Sequence, residues 1–286
     1  MEGRTLSNLA ALLDEQGQEQ QALSTYQLAL EIHREVGDRR YEGITLLNLG
    51  VQQQNQSLFG QAKLNYQAAL AIHRELGSRI SEGIAQINLG DLNRDLEQGP
   101  QALAHYRSGL EIMREVGSRY LEGVTIASMA SLYQEQANLE SAHARYTEAL
   151  RVLREVGNRR YSGLALAGLA AVDACLLRFA ESETQLTEAT RILNEVGDQN
   201  LLDALDIYRA HLELSRALAT TSDAEAAELE AQVDKRVQRA ERASPPNALH
   251  PAGMASPAER SEQVRAALRS LRAAMRRSRH TVRSRT

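Results

Sequence analysis

The chain has no tryptophan, two phenylalanines, five prolines and one cysteine, and each shortage excludes a kind of protein. Strands favour aromatic and β-branched side chains, so a sequence this poor in them does not read as a sheet protein. Cys175 alone cannot build an internal disulfide framework and suits a reducing compartment. No apolar run approaches the ~18 residues of a membrane span. The opening Met1-Glu2-Gly3-Arg4 lacks the basic and apolar regions of a secretory signal. The expected location is cytoplasmic. His33, His73, His105, His143, His211, His250 and His280 fall into no metal-ligand spacing, and the glycines form no phosphate loop. No catalytic residue, metal site or cofactor is expected, and the chain is expected not to be an enzyme.

What is present is helix-forming: Ala, Leu, Glu, Gln and Arg dominate. They are arranged in a repeat of forty residues. Glu35-Val36-Gly37-Asp38-Arg39 returns as Leu76-Gly77-Ser78-Arg79, and again around Gly117, Gly157 and Gly197. Ala22, Ala62, Ala102, Ala142 and Ser182 share one register. Tyr26, Tyr66, Tyr106, Tyr146 and Leu186 share another, and Ala29, Ala69, Gly109, Ala149 and Ala189 a third. After each recurring Gly stands Asp38, Ser78, Ser118, Asn158 or Asp198, all good helix N-caps. Gly suits the left-handed residue that ends a helix, so each Gly-cap dipeptide is a stop followed at once by a start. The first helix of the second unit is expected over 39–55 and the second over 59–76. The break between them is less explicit, marked by Gly17 in the first unit and by Gly99-Pro100 in the third. A single helix pair cannot bury its apolar face, so stacked neighbours must supply the core.

Asn48-Leu49-Gly50 followed by Ala62, Tyr66, Ala69 and Leu70 resembles the tetratricopeptide repeat. Leu89-Gly90, Ala102, Tyr106 and Gly109 repeat the pattern, as do Leu9-Ala10, Ala22, Tyr26 and Ala29, and Met129-Ala130, Tyr133, Ala142, Tyr146 and Ala149. The period is longer than the usual ~34 residues, and the family's terminal Pro is replaced by Gly plus a cap. HEAT and armadillo arrays have periods near forty but lack the Ala-x3-Tyr-x2-Ala signature. The longer form is similar to repeats of kinesin light chains, spindle-orientation scaffolds and sensor regions of bacterial signalling ATPases and kinases. The resemblance implies an all-α, right-handed superhelical solenoid of antiparallel helix pairs, about six pairs plus a C-terminal helix. First helices would line the concave side. The expected units are 1–37, 38–77, 78–117, 118–157 and 158–197, with a degenerate capping pair over 198–241. A flexible linker is expected over 242–256 and a basic amphipathic helix and tail over 257–286.

On that reading the chain is a scaffold that binds a peptide or helix of a partner protein in its groove. The alternative is a regulatory or sensor module derived from a larger bacterial signalling protein. Asn8, Asn48 and Asn88 precede the Leu-Ala or Leu-Gly pair, a position that faces the groove in the family. An amide offers donor and acceptor together and can hold a peptide main chain whatever its side chains. The competing reading has these amides bonded between neighbouring helices. Val51, Asp91 and Ser131, with Gln54, Arg94 and Gln134 beyond, share the expected wall. Their mixed chemistry argues against a clamp built for a terminal carboxylate. The recurring Arg34-Glu35, Arg74-Glu75, Arg114-Glu115 and Arg154-Glu155 read as a solvated face with ion pairs between units. No N-terminal cap precedes the first unit, so the chain is expected either to be the end of a longer ancestral protein or to self-associate through an open face. From Pro257 onward, nine arginines against Glu259 and Glu262 give +7, leaving −11 on Met1–Ser256. Arg265, Arg269, Arg272 and Arg276 form one stripe, read as a solvated terminus, as a segment that docks on the acidic body and competes with partners, or as a polyanion-binding one. Only through that tail would nucleic acid or membrane be a partner.

Overall fold

The computed structural model describes residues 2–197 and, beyond them, Leu202, Leu205, Tyr208, Arg209, Leu212 and Glu213. The expected capping pair, the linker and the Arg-striped tail otherwise lie outside the described residues. Ten α-helices and no strand are found among those described: α1 Glu2–Glu15, α2 Glu19–Glu35, α3 Arg39–Asn55, α4 Phe59–Glu75, α5 Arg79–Asp95, α6 Gly99–Glu115, α7 Arg119–Glu135, α8 Leu139–Glu155, α9 Arg159–Cys175 and α10 Phe179–Val196. Helices α3 and α4 occupy the expected spans to within a residue. The chain divides into two compact units, one reaching Thr125 and the other starting at Ile126. The first holds α1–α6 and the opening of α7, the second the rest of α7 with α8–α10. Within the first, α1 packs on α2, α3 on α4 and α5 on α6, while α2 meets α3 and α4 meets α5. In the second, α9 packs on α10 and α8 on α9.

The C-terminal ends of α1–α9 are closed by the same device. At the end of α2, Gly37 N–H bonds to Arg34 C=O and Asp38 N–H to His33 C=O, satisfying carbonyls that the helix leaves open. The turn inside each pair repeats this geometry: Ser57 N–H bonds to Gln54 C=O and Leu58 N–H to Gln53 C=O. Both turns need a left-handed residue. Between pairs it is always Gly; within pairs it is Gly17, then Ser57, Glu97, Ala137 and Leu177, with φ of 58–63° at the four non-Gly residues. The sequence masks this break because those four accept a conformation that costs about 1–2 kcal/mol. Gly99-Pro100 marks the break from its far side: Glu97 is the left-handed residue of the turn, and Pro100 sits in the first turn of α6, where Pro is tolerated. Asp38 and Asn158 accept hydrogen bonds from Tyr41 and Tyr161 N–H as caps, but Ser78 makes no capping bond.

The core is built on rings seated against small residues. Tyr66 lies against Gly50 and Tyr106 against Gly90, so closely that a Cβ on either glycine would meet ring carbon at 2.5–2.6 Å. Where Ala130 replaces the glycine, Tyr146 seats on Gly168 instead. The glycines at Gly3, Gly43, Gly83 and Gly163 receive His33, His73, Met113 and Leu193 from the second helices. Leu9 is 45% exposed on α1, whereas its counterparts Leu49 and Leu89 are covered to 3%, and Leu12 is 52% exposed where Gln52 and Leu92 are buried.

The recurrent charges do more than solvate a face. Glu42 is buried and receives Arg34 Nε at 3.0 Å from the preceding pair and Arg39 Nη1 at 2.5 Å, while Arg39 also reaches Glu75 at 3.0 Å. Glu82 is held likewise by Arg74 and Arg79, with Arg79 reaching Glu115, and Glu122 by Arg114 and Arg119. Burial alone would raise the Glu42 and Glu82 carboxyls, but the paired guanidiniums outweigh it and hold both below their ordinary value.

His73 is wholly buried, and neither ring nitrogen has a hydrogen bond of good geometry. Burial pushes its pKa below 6.5, against a weaker pull from the Gly43 backbone. His105 is lowered too, by burial and then by Lys63 and Arg74. In the unfolded chain these imidazoles protonate near 6.5, whereas the folded protein resists. The unfolded state therefore binds more protons below that pH, and stability falls as the solution is acidified. Melting temperatures should be level above pH 7 and decline between pH 6.5 and 5. Glu42 and Glu82 contribute only lower, as pH falls past 4.5. His73→Met, the residue found at the equivalent Met113, should flatten the decline; an unchanged slope would remove His73 as its source.

Candidate functional site

Helices α3 and α5 are enclosed by their neighbours on all sides but one. Past the first two residues of α3, the side chains that stay accessible are Tyr41, Ile44, Asn48, Val51, Gln54 and Asn55. On α5 they are Ser81, Ile84, Asn88, Asp91 and Asp95. These spacings of three and four residues put each set on one stripe of its helix. The two helices touch, and Gln54 Nε2 donates to Asp95 Oδ2 at 2.5 Å, so the stripes join into one surface. Second helices are different, with broad exposed faces.

Asn48 and Asn88 sit half-buried in the middle of this surface. Among the described residues neither side chain makes a hydrogen bond, so the bonds between helices that would have occupied these amides are not formed there. Asn8 is exposed on α1. The other expected wall residues are engaged internally. Tyr66 OH donates to Gln54 Oε1 at 2.9 Å, and Tyr106 OH to Asp91 Oδ1 at 2.5 Å. Buried Arg94 lies 3.7 Å from Asp91 and 3.8 Å from Asp95. In the second unit, the Ser131 hydroxyl is 2.8 Å from Tyr146 OH, which also donates to Gln134 Oε1 at 3.3 Å. In the second, third and fourth pairs the ring that fills the core thus uses its hydroxyl to fix a polar residue of the first helix. Val51 adds an apolar patch beside Asn48.

Reasoning from sequence missed Ile44, Ile84, Asn55 and Asp95. The signal for the first two was present: Ile44, Ile84, Val124 and Leu164 share one register, an apolar position outside the tetratricopeptide signature. The four arginines of the tail stripe lie outside the described residues. Among the described residues no group of three or more His, Cys, Asp or Glu could hold a metal ion, and no helix is long and apolar enough to cross a membrane. Cys175 ends α9, half-buried.

No curated protein matches the chain in sequence. Among solved structures, it is similar to aspartyl phosphate phosphatase F from Bacillus subtilis, at 14% identity over 95% of this chain and 70% of that one, with a TM-score of 0.66. A Rap protein complexed with competence and sporulation factor gives 15% identity over 96% and 75% of the two chains, with a TM-score of 0.65. The signal transduction ATPase PH0952 from Pyrococcus horikoshii, which has a tetratricopeptide repeat sensor, gives 18% identity over 84% of this chain and 36% of that one, with a TM-score of 0.58. Likeness at this identity concerns the fold alone. The tetratricopeptide repeat family model, however, matches residues 2–75 and 81–155, more than half the sequence, and with the helix pairs and their Ala, Tyr and Gly packing it places the chain in the tetratricopeptide repeat family.

Proposed function

We propose that the joined stripes of α3 and α5 hold an extended segment of a partner polypeptide, and that the protein acts as a protein-binding scaffold. The observation that carries this is the pair of half-buried amides, Asn48 and Asn88, which make no side-chain hydrogen bond among the described residues. An amide in that state gains most from a peptide main chain, which supplies an acceptor and a donor at each residue. Ile44, Ile84 and Val51 beside them add apolar contact, and the hydroxyls of Tyr66 and Tyr106 hold Gln54 and Asp91 in place before anything binds. A wall already ordered loses little entropy on association. The structural likeness to a Rap protein solved with competence and sporulation factor fits this use of the fold.

The test is a peptide-display selection on the full chain, followed by affinity measurements on Asn48→Ala/Asn88→Ala. Two hydrogen bonds at about 0.5–1.5 kcal/mol each predict a loss of about 5- to 100-fold for selected peptides. The melting temperature should stay within about 2 °C, because the amides support nothing internal. Selected peptides that bind the double variant as tightly as the parent would place the binding surface elsewhere.

A further inference from the structure

We infer that the segment recognised by this wall is one in which apolar and basic side chains alternate. The inference rests on the scaffold reading above and specifies the partner. In an extended chain the main-chain donors and acceptors lie in one plane, and successive side chains leave it on opposite sides. A strand held through its main chain by Asn48 and Asn88 runs across α3 and α5. Its side chains are then directed alternately toward the two ends of those helices.

The ends differ in chemistry. Toward the N-terminal end the stripes offer Ile44 and Ile84. Toward the C-terminal end α3 offers Val51 and Gln54, while α5 offers Asp91 and Asp95 with buried Arg94 between them, two negative charges against one positive. Gln54 donates one amide hydrogen to Asp95 and keeps a second, a neutral donor that does not offset the net charge. A carboxylate or phosphate placed there meets net negative charge; an ammonium or guanidinium is attracted. The surrounding body has the same sign, carrying −11 over Met1–Ser256, which favours the approach of a cationic segment. One flank therefore selects apolar side chains and the other, where it passes over α5, basic ones, with a period of two residues; Val51 leaves the α3 part of that second flank apolar.

The experiment uses the full chain and three fluorescein-labelled nine-residue peptides, alternating Leu with Lys, Leu with Glu, and Ser with Lys, read by fluorescence anisotropy at about 0.1 M salt. The Leu/Lys peptide should bind about tenfold or more tighter than either of the others. Asp91→Asn/Asp95→Asn keeps acceptors for Tyr106 and Gln54 but takes these two carboxylates from buried Arg94, so it should melt lower than the parent; at a temperature where circular dichroism shows both proteins folded, it should abolish the preference for Lys over Glu. Equal binding of the Leu/Glu peptide, equal binding of the Ser/Lys peptide, or a Lys preference that survives the Asp91/Asp95 changes would each overturn the alternating pattern. In those cases a loss on Asn48→Ala/Asn88→Ala would keep the scaffold reading intact. If no peptide binds, or if the asparagine variant binds all three unchanged, the wall is not the binding surface and both readings fall together.

Discussion

Tyr106→Ala should lower the free energy of unfolding by about 3–5 kcal/mol, read as a shift in the midpoint of urea denaturation at unchanged slope. The ring is wholly buried, seated on Gly90, and its hydroxyl donates to Asp91 at 2.5 Å. Removing it opens a cavity between the two helices of the third pair and strips Asp91 of a charge-assisted hydrogen bond. Tyr106→Phe separates these contributions. It keeps the packing and loses the bond, for about 1–2 kcal/mol. If the phenylalanine variant were as damaging as the alanine one, the hydroxyl rather than the ring would be the main support.

Gly90→Val should cost about 2–4 kcal/mol, although valine in a helix is intrinsically no worse than glycine. The cause is crowding: a Cβ at this position would fall 2.6 Å from two ring carbons of Tyr106, with the ring shut in on all sides. The two changes address one contact from opposite sides, so they should not add. Calorimetric unfolding of Gly90→Val/Tyr106→Ala should show a loss smaller than the sum of the single losses by at least about 1 kcal/mol, as valine occupies part of the space the ring vacates. Strict additivity would mean that residues 90 and 106 are not packed as described.

The α-helical pairs were legible because their punctuation repeats. Gly followed by a cap, and Ala-x3-Tyr-x2-Ala, each mark a steric requirement that few residues satisfy. The turn inside each pair was harder to read, since Ser57, Glu97, Ala137 and Leu177 carry no left-handed signature and the bonds to Gln54 and Gln53 are made by backbone atoms. For the candidate wall, spacing sufficed to select Asn48, Val51, Asn88 and Asp91, because residues three or four apart share a helix face. Which of them are occupied internally could not be read in the same way. That depends on where the Tyr66 and Tyr106 hydroxyls arrive from another helix, and on Gln54 meeting Asp95 forty-one residues away. Glu42 and Glu82 were hidden for a similar reason: a carboxylate near the start of a helix reads as solvated until arginines from two segments close over it.

Those carboxylates work as keys cut to one pattern. Arg34, Arg39 and Glu42 join the first pair to the second as Arg74, Arg79 and Glu82 join the second to the third. A gene duplication inserting another copy of residues 38–77 would present the right lock on both sides, so that part of the molecule can grow by whole modules. The fifth pair breaks the pattern: Ser162 stands where the key should be, its hydroxyl bonds to Asn158 C=O, and Arg154 turns to Glu188. A module copied from there and spliced in after the second pair would leave the arginine of its new neighbour without its buried acid, so the modules that carry the acid can exchange places and the one that lacks it cannot.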